Sequence, residues 1–189
     1  MKRCLILILI FISRSLYAHG GVYLEEDICF IQMGFLTAHF TIYQPENQGN
    51  EEFCESVPEA TDSIFVLDYT HDALSNFPIE FQIIKDDMDL GIFARIEDVE
   101  SLANIDELTV FHEYIEPNGS QSLVIEHNFI DEGWYIGLIR VTNPETNIVY
   151  ATVFPFQVGS DNSLLFLFIL LVLILQFFYF KSQNSANKN

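Results

Sequence analysis

A series of short runs of β-branched and aromatic residues, each bounded by Pro, Gly, Asn or Asp, constrains the fold of this chain most strongly. Runs of this length between turn residues are typical of strands in an all-β domain. In 35–43 the residues Leu36, Ala38, Phe40 and Ile42 alternate with polar ones, which predicts a strand with one buried face. Further strands are predicted at 64–69, 79–84, 109–114, 122–129, 134–142 and 148–158.

Turn residues between these runs indicate how the strands connect. Asn118-Gly119 predicts a hairpin between its flanking strands, and 143–147 predicts a second turn. Pro155 cannot donate a ladder hydrogen bond, which predicts an edge position for the last strand. In the interior only 97–108 has a helical pattern. We therefore predict an antiparallel β-sandwich of immunoglobulin-like or cupredoxin-like type.

The N-terminus has the pattern of a secretory signal peptide. Lys2 and Arg3 precede an apolar run at 5–12, and Ala18 is a small residue at the expected cleavage site, so residues 1–18 are predicted to be removed. Eight apolar residues are too few to cross a bilayer core, which needs roughly 20 helical residues. Cleavage there would make His19 the mature N-terminus.

The C-terminal run LLFLFILLVLILQFFYF at 164–180 contains 15 Leu, Ile, Val or Phe residues among 17. Such a run predicts one transmembrane helix, which we place at 163–180. Lys181 and Lys188 follow it, so the tail 181–189 is predicted to be cytoplasmic. The domain at 19–160 would then face the periplasm, anchored to a bacterial inner membrane by a single span.

The exported domain is strongly acidic. All 27 acidic residues lie between Glu25 and Asp161, against Lys85, Arg95 and Arg140, a balance of −24. This charge repels phosphate backbones, so we predict no nucleic-acid partner. Solubility of an exported domain accounts for the charge better than a dedicated cation-collecting role does. The sequence contains no His-Glu-x-x-His, Gly-x-Ser-x-Gly or Cys-x-x-Cys motif, and we predict that the protein is not an enzyme.

Two cysteines remain after Cys4 leaves with the signal peptide. An even pair in an oxidising compartment predicts a disulfide between Cys29 and Cys54, which would stabilise the fold by about 3 kcal/mol. Alternatively, their thiolates, with the thioether of Met33 and the imidazole of His39, form a donor set that favours copper. Within one continuous strand Cys29 and Met33 share a face but stand about 13 Å apart, so a bulge near Gly34, a turn at Glu26-Asp27 or a second chain would be required. From the residues alone, both interpretations remain open.

Other histidines are interpreted separately. His127 alternates with Leu123, Ile125 and Phe129, which predicts a packed and hydrogen-bonded core residue. A terminal amine beside the imidazole of His19 can chelate Cu(II), provided that cleavage follows Ala18.

Four stretches carry a resemblance to a known family: Glu25 to Cys29, then Gly34, then AHFTIYQP at 38–45, and EEFCESVP at 51–58. They resemble small exported bacterial proteins with a C-terminal membrane anchor, encoded beside particulate methane and ammonia monooxygenases. The resemblance implies copper bound by paired cysteines and methionine, in a dinuclear thiolate-bridged centre where two chains meet. Cys29 and Cys54 occupy the cysteine positions, and Met33 is the nearby methionine. This chain lacks a methionine following Cys54, which leaves the ligand set incomplete.

Two functions follow from these patterns. The first is a membrane-anchored periplasmic accessory protein, acting as a single chain or as a homodimer, that binds copper through Cys29 and Cys54, with Met33 or His39 assisting, for storage, delivery or assembly. The second is a metal-free immunoglobulin-like interaction module in which the same two cysteines form a disulfide and the surface recognises another membrane protein.

Overall fold

The computed structural model describes residues 22–25, 28–159 and 167–176. The predicted signal peptide, His19 and the predicted tail at 181–189 lie outside the described residues, as does part of the predicted span at 163–180. Residues 167–176 are helical, and most of their side chains are exposed. Within the described ranges, no helix has both the length and the apolar character needed to cross a membrane.

Ten strands form two five-stranded sheets that pack face to face. The first sheet has the order β1-β2-β3-β5-β8 and the second has the order β4-β10-β9-β6-β7. The predicted β-sandwich is confirmed, and one pairing corrects the antiparallel prediction, because β4 runs parallel to β10. The strands are β1 Val22–Glu25, β2 Ile28–Met33, β3 Leu36–Tyr43, β4 Ser56–Val57, β5 Asp62–Tyr69, β6 Ile79–Lys85, β7 Thr109–Ile115, β8 Ser122–Asn128, β9 Gly133–Thr142 and β10 Val149–Val158.

The hairpin predicted at Asn118-Gly119 is wrong. The strand before it, β7, is in the second sheet, whereas β8 after it is in the first, so the connection crosses between the sheets. The Asn118 side chain accepts a hydrogen bond from the Ser120 N–H, and the Gly119 N–H donates to the Ser75 carbonyl at 3.2 Å. Neither bond joins the two flanking strands, so the Asn-Gly pair marks a turn here without indicating which strands pair.

The turn predicted at 143–147 is confirmed. It joins β9 to β10 as an antiparallel hairpin, and the Asn143 N–H donates to the Ile148 carbonyl at 2.9 Å. The edge position predicted for the last strand is wrong, because β10 lies between β4 and β9, and only the part of β10 that contains Pro155 lies beyond the reach of β4. Pro155 is paired with Ile136 of β9 on one side, while β4 reaches β10 only at Gln157 and Val158.

The helical pattern at 97–108 corresponds to two short helices, Ile96–Glu100 and Ile105–Leu108, rather than one. Val99 packs there in a small second core with Ile84, Ile136 and Leu138. These sheet residues lie on the face of the second sheet that points away from the first. Further short helical segments are Pro45–Gln48 and the 3₁₀ turns Asp72–Asn76 and Gly91–Phe93.

The main core between the sheets is rich in phenylalanine. Six of its rings form a connected cluster in which neighbouring ring centroids lie 4.7 to 6.4 Å apart; they belong to Phe40, Phe65, Phe81, Phe129, Phe154 and Phe156. His127 lies at the margin of this core, half-buried, with its ring edge-on to Phe129 at 4.6 Å. Burial lowers the pKa of His127, which keeps the imidazole neutral at neutral pH.

Gly137 in β9 allows Phe154 to pack across the strand. A Cβ at position 137 would lie 2.0 Å from Phe154 Cζ, so Gly137→Ala must displace that ring. We expect a loss of about 1–3 kcal/mol in the free energy of unfolding, measured by urea denaturation. Phe154→Leu combined with Gly137→Ala should cost less than the sum of the two single changes, because the smaller side chain removes the clash. Strict additivity would contradict this account.

Candidate functional site

Cys29 and Cys54 form a disulfide, with their Cα atoms 6.2 Å apart. Cys29 lies in β2 and is only 2% exposed. Cys54 is half-buried and lies in the irregular chain just before β4. The two cysteines predicted from the sequence are therefore brought together, in the arrangement that the disulfide hypothesis requires.

The segment 53–57 positions Cys54 by connecting the two sheets. Phe53 makes two backbone hydrogen bonds with Ile42 of β3, at 2.8 and 3.0 Å, and its side chain packs against the main core. Ser56 and Val57 then pair with the end of β10 in the second sheet. Because Cys54 lies between these two attachments, the disulfide fixes the crossing segment to β2.

Met33 does not reach this disulfide within one chain. It lies four residues beyond Cys29 on the same face of β2, about 13 Å away at the rise of a β-strand. Its side chain is 1% exposed and packs in the main core. The predicted bulge is absent from β2 as described, since Phe30 to Met33 pair in continuous register with β3.

His39 is also separated from the cysteines, because it lies on the outer face of the first sheet. Its Nε2 is 3.2 Å from Thr41 Oγ1, and its Nδ1 is 3.7 Å from Asp68 Oδ2. Its ring lies beside that of Phe30, at 6.2 Å. The four predicted metal ligands therefore do not converge within one chain. Among the described residues, no group of three or more His, Cys, Asp or Glu side chains is arranged to hold a metal ion.

Three exposed acidic residues lie close to Cys54 in the sequence, namely Glu51, Glu52 and Glu55, and together they are called the acidic rim. The Tyr43 hydroxyl donates a hydrogen bond to Glu52 Oε1 at 2.9 Å. Burial and this neighbouring carboxylate raise the pKa of Tyr43, so the phenol stays protonated and keeps Glu52 in place. Neither the crossing segment nor this rim was predicted from the sequence. The apolar residues Phe53 and Val57, on either side of Cys54, are a sequence signal that the segment packs against the core.

Fold and site together define a β-sandwich domain in which a disulfide joins β2 of the first sheet to the segment that crosses to the second. A solved structure similar to this chain is the soluble domain of PmoD from Methylocystis sp. Rockwell, which is 26% identical to this chain with a TM-score of 0.56. The match covers 69% of this chain and 97% of that one. The resemblance found in the sequence is thereby confirmed, and this chain is similar to that soluble domain over most of its length.

A second structural match is much weaker. An AA10 lytic polysaccharide monooxygenase from Streptomyces lividans is 13% identical with a TM-score of 0.36, over 61% of this chain and 63% of that one. Similarity at this level supports no conclusion about function. No protein-family model and no curated protein matches the chain.

Proposed function

We propose that this protein is a membrane-anchored periplasmic accessory protein that binds copper through the thiolates of Cys29 and Cys54, for storage, delivery or assembly. The observation that carries the proposal is the pairing of these two cysteines in a domain similar to the soluble domain of PmoD. The family resemblance implies copper held by paired cysteines, and thiolate is a soft donor that suits copper.

The residues fit copper only after reduction of the disulfide. Metal ligation requires thiolates, and the disulfide sulfurs are bonded to each other. Reduction would leave two thiols on segments whose Cα atoms are 6.2 Å apart, close enough to share one site. Bound copper would supply a one-electron redox couple, while the chain would supply the ligands and their enclosure. Met33 and His39 lie elsewhere, so a second chain would have to complete the coordination, as the resemblance implies.

The position of the C-terminal helix supports the anchor. The last described strand, β10, ends at Val158, and residues 167–176 are helical, with apolar side chains at every position but Gln176. An anchor beginning so soon after β10 would hold the sandwich close to the bilayer. The strong acidity of the domain is compatible with a role in attracting a cation.

Substitution of either cysteine should abolish copper binding. The full-length protein is reduced, freed of reductant without oxygen, and titrated with copper, and bound copper is counted by mass spectrometry. We expect Cys29→Ser and Cys54→Ser each to lose the thiolate-bound copper of the wild type. His39→Asn should keep it, because His39 lies on the outer face of the first sheet. Met33→Leu should also keep it, because the Met33 side chain is buried in the main core and cannot reach a site on a second chain. Undiminished uptake by either cysteine variant would contradict the proposal.

The alternative, a metal-free interaction module, is favoured by the disulfide itself. In that case the cysteines serve only to join β2 to the crossing segment. The same titration separates the two functions, because a purely structural pair would bind no copper after complete reduction.

A further inference from the structure

The two cysteines of the Cys29–Cys54 disulfide differ in residue exposure. Cys29 is 2% exposed within β2, whereas Cys54 is half-buried in an irregular segment at the surface. Thiol–disulfide exchange requires a thiolate to approach one sulfur, and its rate depends on access to that sulfur. Attack at Cys54 is therefore favoured over attack at Cys29.

The charge around the accessible sulfur is one-sided. Glu51, Glu52 and Glu55 are exposed beside Cys54, and no Lys or Arg occurs between residues 49 and 60. A field of one sign attracts reactants of the opposite sign and repels those of the same sign, in a salt-dependent way. An anionic thiol would be repelled here, and a thiol on a positively charged surface would be attracted.

We propose that the acidic rim with Cys54 is the docking surface for a dithiol reductant that carries positive charge around its reactive thiol, and that this partner opens the disulfide before copper binds. A partner thiolate attacks Cys54 Sγ, which forms a mixed disulfide and releases Cys29 as a thiolate. The partner's second thiolate then attacks the partner's first sulfur, which is bonded to Cys54 in the mixed disulfide, and releases Cys54 as a thiolate. The partner dithiol loses two electrons and becomes a disulfide, and two protons restore the Cys29 and Cys54 thiols.

The site of attack is tested with a small cationic thiol, cysteamine, on the oxidised full-length protein. The reaction is stopped early with acid, free thiols are alkylated with N-ethylmaleimide in denaturant, and the peptides are mapped by mass spectrometry. We expect cysteamine on Cys54 and the maleimide on Cys29 as the main product. The opposite distribution, or equal labelling of both cysteines, would overturn the proposal.

The charge preference is tested by comparing cysteamine with anionic 2-mercaptoethanesulfonate. The exchange rate of each thiol with the protein is divided by its exchange rate with a small neutral disulfide. This division corrects for the difference in intrinsic reactivity between the two thiols. We expect cysteamine to be favoured by about ten-fold at low ionic strength, with the ratio approaching one at high salt. The triple variant Glu51→Gln, Glu52→Gln, Glu55→Gln should lose this preference. The matched triple variant Glu100→Gln, Glu107→Gln, Glu113→Gln should keep it. Equal ratios in both variants would overturn the proposal.

This inference rests on the proposed function for its purpose, but the two fail separately. If chemically reduced protein binds copper while exchange shows neither site nor charge preference, only the docking surface is wrong. If exchange behaves as expected and fully reduced protein binds no copper, the copper function is wrong.

Discussion

Phe65→Ala should lower the free energy of unfolding by about 3–5 kcal/mol. Phe65 is fully buried in β5 of the first sheet and packs against the rings of Phe81 and Phe156 in the second, at 5.8 and 5.5 Å. Removing its ring leaves a cavity between the sheets and takes contacts from both. Because natural domains are stable by only about 5–15 kcal/mol, this single change should bring the protein close to unfolding at room temperature.

The neighbouring residue Val66 provides the matched control. It lies on the opposite, outer face of β5 and is half-buried. Val66→Ala should therefore cost only a fraction of the loss caused by Phe65→Ala, in urea denaturation followed by circular dichroism. Similar losses for the two variants would mean that the aromatic contacts between the sheets do not determine stability.

Removal of the disulfide should have the next largest effect. The chain between Cys29 and Cys54 forms a loop of 25 residues, and opening a loop of that length should cost about 3 kcal/mol in the chain-entropy account. We expect the double variant Cys29→Ala, Cys54→Ala to show this loss relative to the oxidised wild type. The crossing segment 53–57 should also lose protection from amide hydrogen exchange, because it is then held by the Phe53 bridge to β3 and by the pairing of β4 with β10.

Reductant provides the control for that prediction. It should lower the stability of the wild type by a similar amount and leave the double variant unchanged, since the variant has no disulfide. A wild type whose stability does not respond to reductant, with both thiols shown to be free, would contradict a stabilising role for the cross-link.

Much of the sandwich could be predicted from the sequence, because a half-buried strand has a local pattern of alternating apolar and polar residues. The alternation of Leu36, Ala38, Phe40 and Ile42 with polar residues identifies β3 almost to the residue. The strand β4 escaped prediction for the opposite reason. It has two residues, pairs at the far end of β10, and depends on a crossing that local pattern does not encode.

The candidate site was only partly predictable, because periodicity gives a residue's face but not what lies opposite it. That Cys29 and Met33 share a face of β2 was visible in their even spacing, and so was their separation along the strand. Two other features depend on contacts between residues distant in sequence. The core covers Met33, and the Phe53 bridge to β3 holds Cys54 near Cys29. Asn118-Gly119 shows the same limit, since it marks a turn without indicating its partner strands.

The central claim is that the fold brings Cys29 and Cys54 together as a pair that is a disulfide when oxidised and a copper ligand pair when reduced. Visible absorption of the full-length wild type, recorded as copper is added to oxidised and to reduced samples, tests it most directly. We expect intense thiolate-to-copper bands in the reduced sample only. A reduced sample with both thiols counted as free that develops no such bands, or an oxidised sample that develops them equally, would contradict it.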